Sequence, residues 1–396
     1  AIDNILDVAW LKENRKLKGI IVTGCLAERY REEILTEMPE VDALLGVGGI
    51  HHIVEAIQAV ERQAGKKNLP AAQKYCNFDD KETVALGGDR VLTTPEYAAY
   101  LKIAEGCDNR CAYCAIPLIR GRFRSRPIED LLKETRNLVR EGVRELNIIA
   151  QDTSRYGTDL YGKPSLDRLI AGLEEIQELR WIRILYLYPD EITENLLEAM
   201  KNSTKLVPYV DLPLQHISRD VLKRMNRRGT PEEIRSSIRK MQRILPECVL
   251  RTSFIVGFPG ETEKDFQELC DFVTEFAFDR VGVFCYSPEE GTTAAEMPDQ
   301  IPEEVKEARR AKLMELAAGI SFRKNKEREG KVVPVLTESV SEDGIFYVGR
   351  SYAEAPDVDG KVYFTSEESL NPGDFADVRI VIGEEYDVTG VRVMPV

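Results

Sequence analysis

No apolar run in this sequence approaches the roughly 20 residues that span a bilayer, so a membrane-embedded role is not expected. No signal peptide is visible either. The cysteines do not fall into the dense, regular spacing of a disulfide scaffold. There are eight, at 25, 76, 107, 111, 114, 248, 270 and 285. Positive charge is also short: 54 Lys and Arg face 68 Asp and Glu, a formal net charge of −14. Phosphate contacts need Lys and Arg, so generic nucleic-acid binding is disfavoured. An acidic chain is better suited to a basic protein partner. An initiating Met is missing too. The chain opens at Ala1 inside a helical pattern, with Ile2, Ile5, Leu6, Ala9 and Trp10 on one face, and upstream sequence is therefore expected in the protein.

What is present supports two or three domains. The length is 396 residues and 43% are hydrophobic, enough for real cores. Residues 1–95 read as a small α/β unit with a linker: a helix over 1–16, a strand from Gly19 to Gly24, a helix near 28–38, a strand from Ala43 to Gly46 and a helix over 52–63. The stretch 64–97, rich in Gly, Pro and Lys, reads as the linker. Residues 96–328 alternate strands and helices. The expected strands are Tyr100–Ala104, Glu145–Ala150, Trp181–Tyr186, Tyr209–Leu212, Leu250–Val256 and Arg280–Tyr286, with helices over 128–141, 166–178, 192–202, 231–244 and 263–276. Six repeats of this kind predict a parallel sheet with outer helices, short of the eight of a closed barrel: an α/β, partial (β/α)6 TIM-like barrel. A charged helix over 303–326 connects to residues 329–396. There, short β-rich pieces separated by Gly344, Gly360, Gly373 and Gly383 predict a small antiparallel, OB-like β-barrel.

Cys107, Cys111 and Cys114 form a C-x-x-x-C-x-x-C run directly after the first barrel strand. Three thiolates on one loop can hold three irons of a [4Fe-4S] cube and leave the fourth open to a chelating cofactor. A structural zinc site is the alternative, but zinc takes four ligands and no fourth Cys or His is near. A thiolate cluster needs reducing surroundings, so the cytoplasm is expected. In such folds the carboxyl ends of the strands carry the chemistry. Candidate cofactor contacts there are Tyr113, Gln151, Asp152, Gln215 and the turn Gly257-Phe258-Pro259-Gly260, each with an ordinary packing, capping or turn role as its alternative. His216 reads equally as a satisfied buried residue. Arg120, Arg122, Arg124 and Arg126 alternate after the loop and suit a substrate carboxylate, or are simply a solvated charge run. Arg224, Arg227 and Arg228 read as surface charge.

The loop spacing resembles that of the radical S-adenosylmethionine (SAM) enzymes. The segments Gly106–Pro127, Thr23-Gly24-Cys25-Leu26-Ala27 and Tyr286–Thr292 resemble one branch of them, the methylthiotransferases. Ala115–Gly121, Ile149–Thr153, Asp211–Ser218 and Gly349–Pro356 are similar to the members that modify a ribosomal protein. The resemblance implies an N-terminal methylthiotransferase domain, a radical SAM barrel and a C-terminal TRAM domain. It implies SAM and two [4Fe-4S] clusters, one on Cys107, Cys111 and Cys114 and a second for which Cys25 is the last of three ligands. The other two would lie upstream of Ala1, and Cys76 does not match. The implied reaction uses one SAM to methylate a sulfur on the second cluster. Another SAM yields a 5′-deoxyadenosyl radical that removes a β-hydrogen from an aspartate of small-subunit ribosomal protein twelve, and the methylthio group follows. An electron donor is implied as partner.

Two other readings compete: a tRNA adenosine methylthiotransferase, and a non-catalytic binding protein stapled by a metal. From residue 331 onward five cations face thirteen anions, a net of −8. A barrel that gripped RNA should be basic. This one should repel phosphates and attract a basic ribosomal protein, so no stable RNA binding is expected.

Overall fold

The computed structural model describes residues 2–14, 16–63, 69–88 and 90–394. Parts of the expected first helix (1 and 15), of the expected linker (64–68 and 89) and of the expected last domain (395 and 396) lie outside the described residues. The chain forms two compact units. One comprises residues 1–88, 105–108 and 114–124; the other comprises 89–104, 109–113 and 125–396.

The first unit contains α1 (Ile2–Glu13), β1 (Ile21–Thr23), α2 (Cys25–Glu37), β2 (Ala43–Leu45), α3 (Ile53–Gln63) and β3 (Tyr75–Asn77). The strands form a parallel sheet in the order β1-β2-β3. Ala27, Ile34, Leu35, Val41 and Leu44 bury the helices against it. Two details differ from the sequence reading. The helix expected near 28 begins at Cys25, because Gly24 (φ +97°) turns the chain straight from strand to helix. The stretch expected to be only linker also supplies β3. Three residues are too few to show a period of two, and pairing to β2 alone makes them a strand.

The first expected strand is split into β4 (Ala98–Lys102) of the second unit and β5 (Ala104–Glu105), whose two residues are divided between the units. After α4 (Ile116–Arg120) and β6 (Arg124–Ser125) come α5 (Ile128–Arg140), β7 (Glu145–Ile149), α6 (Thr158–Tyr161), α7 (Leu166–Glu174), β8 (Trp181–Ile184), α8 (Glu194–Asn202), β9 (Leu206–Gln215), α9 (Arg219–Arg224), α10 (Pro231–Ile244), β10 (Val249–Val256), α11 (Glu263–Phe276), β11 (Arg280–Cys285) and α12 (Glu303–Lys326). The sheet order is β11-β10-β9-β8-β7-β4, all neighbours parallel and the two ends unjoined. The expected open six-stranded barrel is present. Its helices are well started: Thr230 with Glu233, and Thr262 with Asp265, close capping boxes at α10 and α11. No helix among the described residues is long and apolar enough to cross a membrane.

The last five strands are β12 (Val332–Val340), β13 (Tyr347–Arg350), β14 (Val362–Thr365), β15 (Phe375–Gly383) and β16 (Val388–Arg392). They close into a barrel in the order β12-β13-β14-β16-β15. The expectation of a purely antiparallel barrel is corrected at one seam, since β14 and β16 run parallel. Five strands in a ring cannot alternate direction all the way round, so one parallel seam is unavoidable.

The segment following β13 caps the amino ends of the six-stranded sheet. Glu145, the first residue of β7, is fully buried and receives Arg350 at 2.5 and 3.0 Å and Arg183 at 3.4 Å. Arg183 also donates to the Tyr352 carbonyl at 2.8 Å. Glu354, likewise buried, accepts from Arg328 at 2.6 Å, Arg280 at 3.2 Å and Ser351 at 2.6 Å. Tyr209 of β9 donates to Asp359 at 2.6 Å.

Candidate functional site

The cysteine loop follows β5 and is one continuous piece of chain, with Cys107 and Cys114 counted in the first unit and Cys111 in the second. None of the three is in a disulfide, and all are partly exposed. In the first unit, Gly106 turns the chain with φ +79°. A Cβ there would stand 2.0 Å from the Arg122 carbonyl, so only glycine fits. The Cys107 amide donates to the Gly121 carbonyl at 3.2 Å. Cys114 precedes the short helix α4 and its sulfur accepts the Ile116 amide at 3.5 Å.

In the second unit, the stretch 109–113 is held from several sides. The Ala112 amide donates to Met225 at 2.8 Å and its carbonyl accepts from Ala294 at 2.9 Å. Asn226 donates to the Arg110 carbonyl at 2.9 Å. Asn109 donates to Asp152 at 2.9 Å, and Ser154 donates to the other Asp152 oxygen at 2.5 Å. Asp152, a candidate cofactor contact, thus braces the cysteine loop. Tyr113 packs edge-on to Phe258, with ring centroids 6.5 Å apart.

Sequence reasoning passed over Arg227 and Tyr188. Arg227 lies 3.9 Å from the Cys111 sulfur, 3.5 Å from the Tyr113 hydroxyl and 4.0 Å from the centre of the Tyr188 ring, and it donates to the Pro213 carbonyl at 2.5 Å. Tyr188 reaches the same sulfur at 3.7 Å. Together a guanidinium and a phenol flank the Cys111 sulfur. Nothing in the run Arg224-Met225-Asn226-Arg227-Arg228 separates the member facing the loop from its neighbours, so the signal lies in the fold.

The carboxyl ends of the strands carry unusual backbone. Tyr186 after β8 has φ +62° and Gln215 at the end of β9 has φ +72°. Non-glycine residues adopt this region at a cost of about 1 kcal/mol or more, and it clusters at functional sites. Gln215 is half-buried. The turn after β10 has Gly257 at φ +72° and Gly260 at φ +73°. Its organiser is Glu261, which accepts the amides of Gly257 at 2.7 Å and Phe258 at 3.2 Å and pairs with Arg309 at 2.9 Å. Burial pushes its carboxyl up to about 7, against the pull of Arg309. His216 is fully buried, its Nδ1 accepts the Ser218 amide at 3.0 Å, and burial pushes it down to about 3. It is a neutral structural imidazole at ordinary pH.

The four alternating arginines separate. Arg120 lies 2.9 Å from the Cys25 sulfur and 3.3 Å from Glu105, all within the first unit. Arg122 is exposed. Arg124 donates to the carbonyls of Lys81, Glu82 and Val84 at 2.5–3.0 Å. Arg126 is buried against the Lys102 carbonyl at 2.9 Å and Glu134 at 2.6 Å. Arg124 and Arg126 therefore hold the chain together and are not poised for a substrate carboxylate.

The site so defined is a three-thiol loop in the chain between β5 and α4, and comparison with known proteins fits it. The Radical SAM superfamily model matches residues 101–273 and the TRAM domain model matches 330–393. A ribosomal protein uS12 methylthiotransferase RimO from Pelotomaculum thermopropionicum is 51% identical over 395 residues, covering 100% of this chain and 87% of the relative. One of the same name from Geobacter sulfurreducens is 48% identical, covering 98% and 86%. A cobalamin-dependent SAM radical enzyme, OxsB, shares the fold at TM-score 0.50 and 14% identity, covering 81% of this chain and 47% of that one. The chain belongs to the RimO family of radical SAM methylthiotransferases, and that family implies a [4Fe-4S] cluster and SAM. The donors suit such a cluster: three soft thiols on one loop, with a cation beside one of them.

Proposed function

We propose that this enzyme transfers a methylthio group to the β-carbon of an aspartate in ribosomal protein uS12. The observation that carries the reading is 51% identity along the whole chain to a relative so named. The three-thiol loop, with its C-x-x-x-C-x-x-C spacing, supports it. Cys107, Cys111 and Cys114 would hold the cluster. When bound and reduced, that group with SAM supplies the 5′-deoxyadenosyl radical that abstracts hydrogen. The rest is the work of the chain. Arg227 and Tyr188 set the environment of the Cys111 sulfur. Asp152, through Asn109, keeps the loop from shifting. Gln215, Gln151, Tyr113 and the backbone of Gly257, Pro259 and Gly260 are the groups available to hold SAM. Apolar side chains around Phe258 and Tyr286 exclude water from a reactive radical.

Cys25 would serve a second [4Fe-4S] cluster, the source of the methylthio group, with the Arg120 guanidinium beside its sulfur. Arg122 is the exposed arginine left to meet substrate. We infer domains at 1–95, 96–328 and 329–396; the family matches at 101–273 and 330–393 support the second and third. The acidic C-terminal barrel attracts the basic ribosomal protein, a soluble reductant supplies electrons, and the reaction belongs in the cytoplasm. The test is direct. The enzyme is incubated with SAM and reductant, first with uS12 and then with tRNA. A gain of one methylthio group on uS12 alone is expected, and a gain on RNA alone would overturn the reading.

A further inference from the structure

The first unit carries a second cluster of metal-type ligands that the reaction does not use. His51 and His52 lie in a short 3-10 turn (Ile50–His52) before α3, and Asp79 lies two residues beyond β3. One ligand atom from each falls within 4.8 Å of the others. His52 Nε2 is 2.9 Å and His51 Nε2 is 3.5 Å from the same Asp79 Oδ2. With bonds of about 2.0–2.1 Å, donors on one tetrahedral zinc stand about 3.3 Å apart, so the two separations bracket the required edge. The imidazole ring centroids are 4.2 Å apart, with the ring planes tilted by 41°.

The surroundings are built to hold this arrangement. Glu55 stands 3.5 Å from His52 Nδ1, the outer carboxylate that commonly fixes the tautomer of a metal-bound histidine. Asn77 Oδ1 accepts the Asp79 amide at 3.0 Å and sets the turn. Gly48 and Gly49 let the two chain segments touch. A Cβ at 48 would stand 1.8 Å from the Asp79 carbonyl, and one at 49 would stand 2.4 Å from the Asn77 carbonyl. His51 and Asp79 are open to solvent, which leaves an entry path.

We propose that His51, His52 and Asp79 bind one divalent cation of the zinc class, with water in the fourth position, clipping the turn before α3 to the segment after β3. The ligand set is N/N/O, chemically distinct from the thiols of the cluster loop.

The test uses the enzyme with its iron–sulfur clusters loaded, so that the loop thiols are occupied. Zinc is added and the protein desalted; one retained equivalent is expected. Cobalt in place of zinc should give weak visible bands without sulfur-to-metal charge transfer. His51→Ala and His52→Ala should each weaken retention about 10-fold or more, with iron content and 5′-deoxyadenosine formation unchanged. Failure to retain zinc would overturn the proposal. So would equal retention in both histidine variants, loss on Cys285→Ala instead, or a strong sulfur charge-transfer band.

Discussion

The two ends of the six-stranded sheet are built on opposite principles. At the amino end, charges are buried and paired: Glu145 with Arg350 and Arg183, and Glu354 with Arg328 and Arg280. At the carboxyl end the backbone is strained at Tyr186 and Gln215, and side chains such as Gln215 remain half open. One end fixes the barrel, and the other keeps strain and unfilled bonding capacity for ligands. The contrast also revises what the acidity of the last domain means. Arg350, Lys361 and Arg392, three of its five cations, are engaged in ion pairs with Glu145, Glu338 and Glu368. The free surface charge is therefore still strongly negative, although Glu354 and Asp359 are buried too.

The largest expected effect is at the carboxyl end. Cys111→Ala should lower iron content and reduce 5′-deoxyadenosine, measured chromatographically, to background while leaving the melting temperature of the barrel nearly unchanged. At the amino end the pattern should invert. Arg350→Met leaves Glu145 with a poorer match in a dry site and should cost about 3–5 kcal/mol in denaturant unfolding. A matching loss of SAM cleavage without loss of stability would erase the distinction between the ends. Next comes Arg227→Met, which should change the cluster's reduction potential and lower SAM cleavage about 10- to 100-fold with unfolding little altered.

Acid sharpens the comparison further. Burial opposes the charge on Glu354, but Arg328 and Arg280 outweigh it and hold the carboxyl at about 2. An acid held below its unfolded value of about 4.5 stabilises the fold above that pH, and the contribution is lost as pH falls toward 2. Glu354→Gln should thus cost about 3 kcal/mol near neutrality and progressively less between pH 4.5 and 2. Glu261, pushed up to about 7 by burial, has the opposite sign: its contribution fades as pH rises from 4.5 through 7, so Glu261→Gln should be better tolerated at pH 8 than Glu354→Gln. The smallest effect is at Gln215. Gln215→Gly removes left-handed strain and should stabilise by about 1 kcal/mol while weakening SAM binding in calorimetry.

The parts that were legible from sequence are those with strong local periodicity. The five barrel helices carry apolar stripes, three of them with side-chain caps, and the six strands are short and mostly apolar, so their order could be read directly. The cysteine loop was legible because its spacing is its chemistry. β3 was not, because a three-residue strand is defined by its partner. The roles of Arg124, Arg126 and Arg227 were not, because every arginine in a run reads alike until the fold decides which carbonyl, carboxylate or sulfur it meets. The bond from Asn109 to Asp152 was not legible either, because it joins two loops that only the fold brings together.

The central claim is that three neighbouring thiols hold a cluster with one iron left for SAM. Electron–nuclear double resonance on the reduced enzyme with SAM carrying nitrogen-15 in its amino group addresses it directly. A nitrogen coupling to the cluster spin is predicted. A reduced cluster that shows no such coupling under saturating SAM would contradict the account.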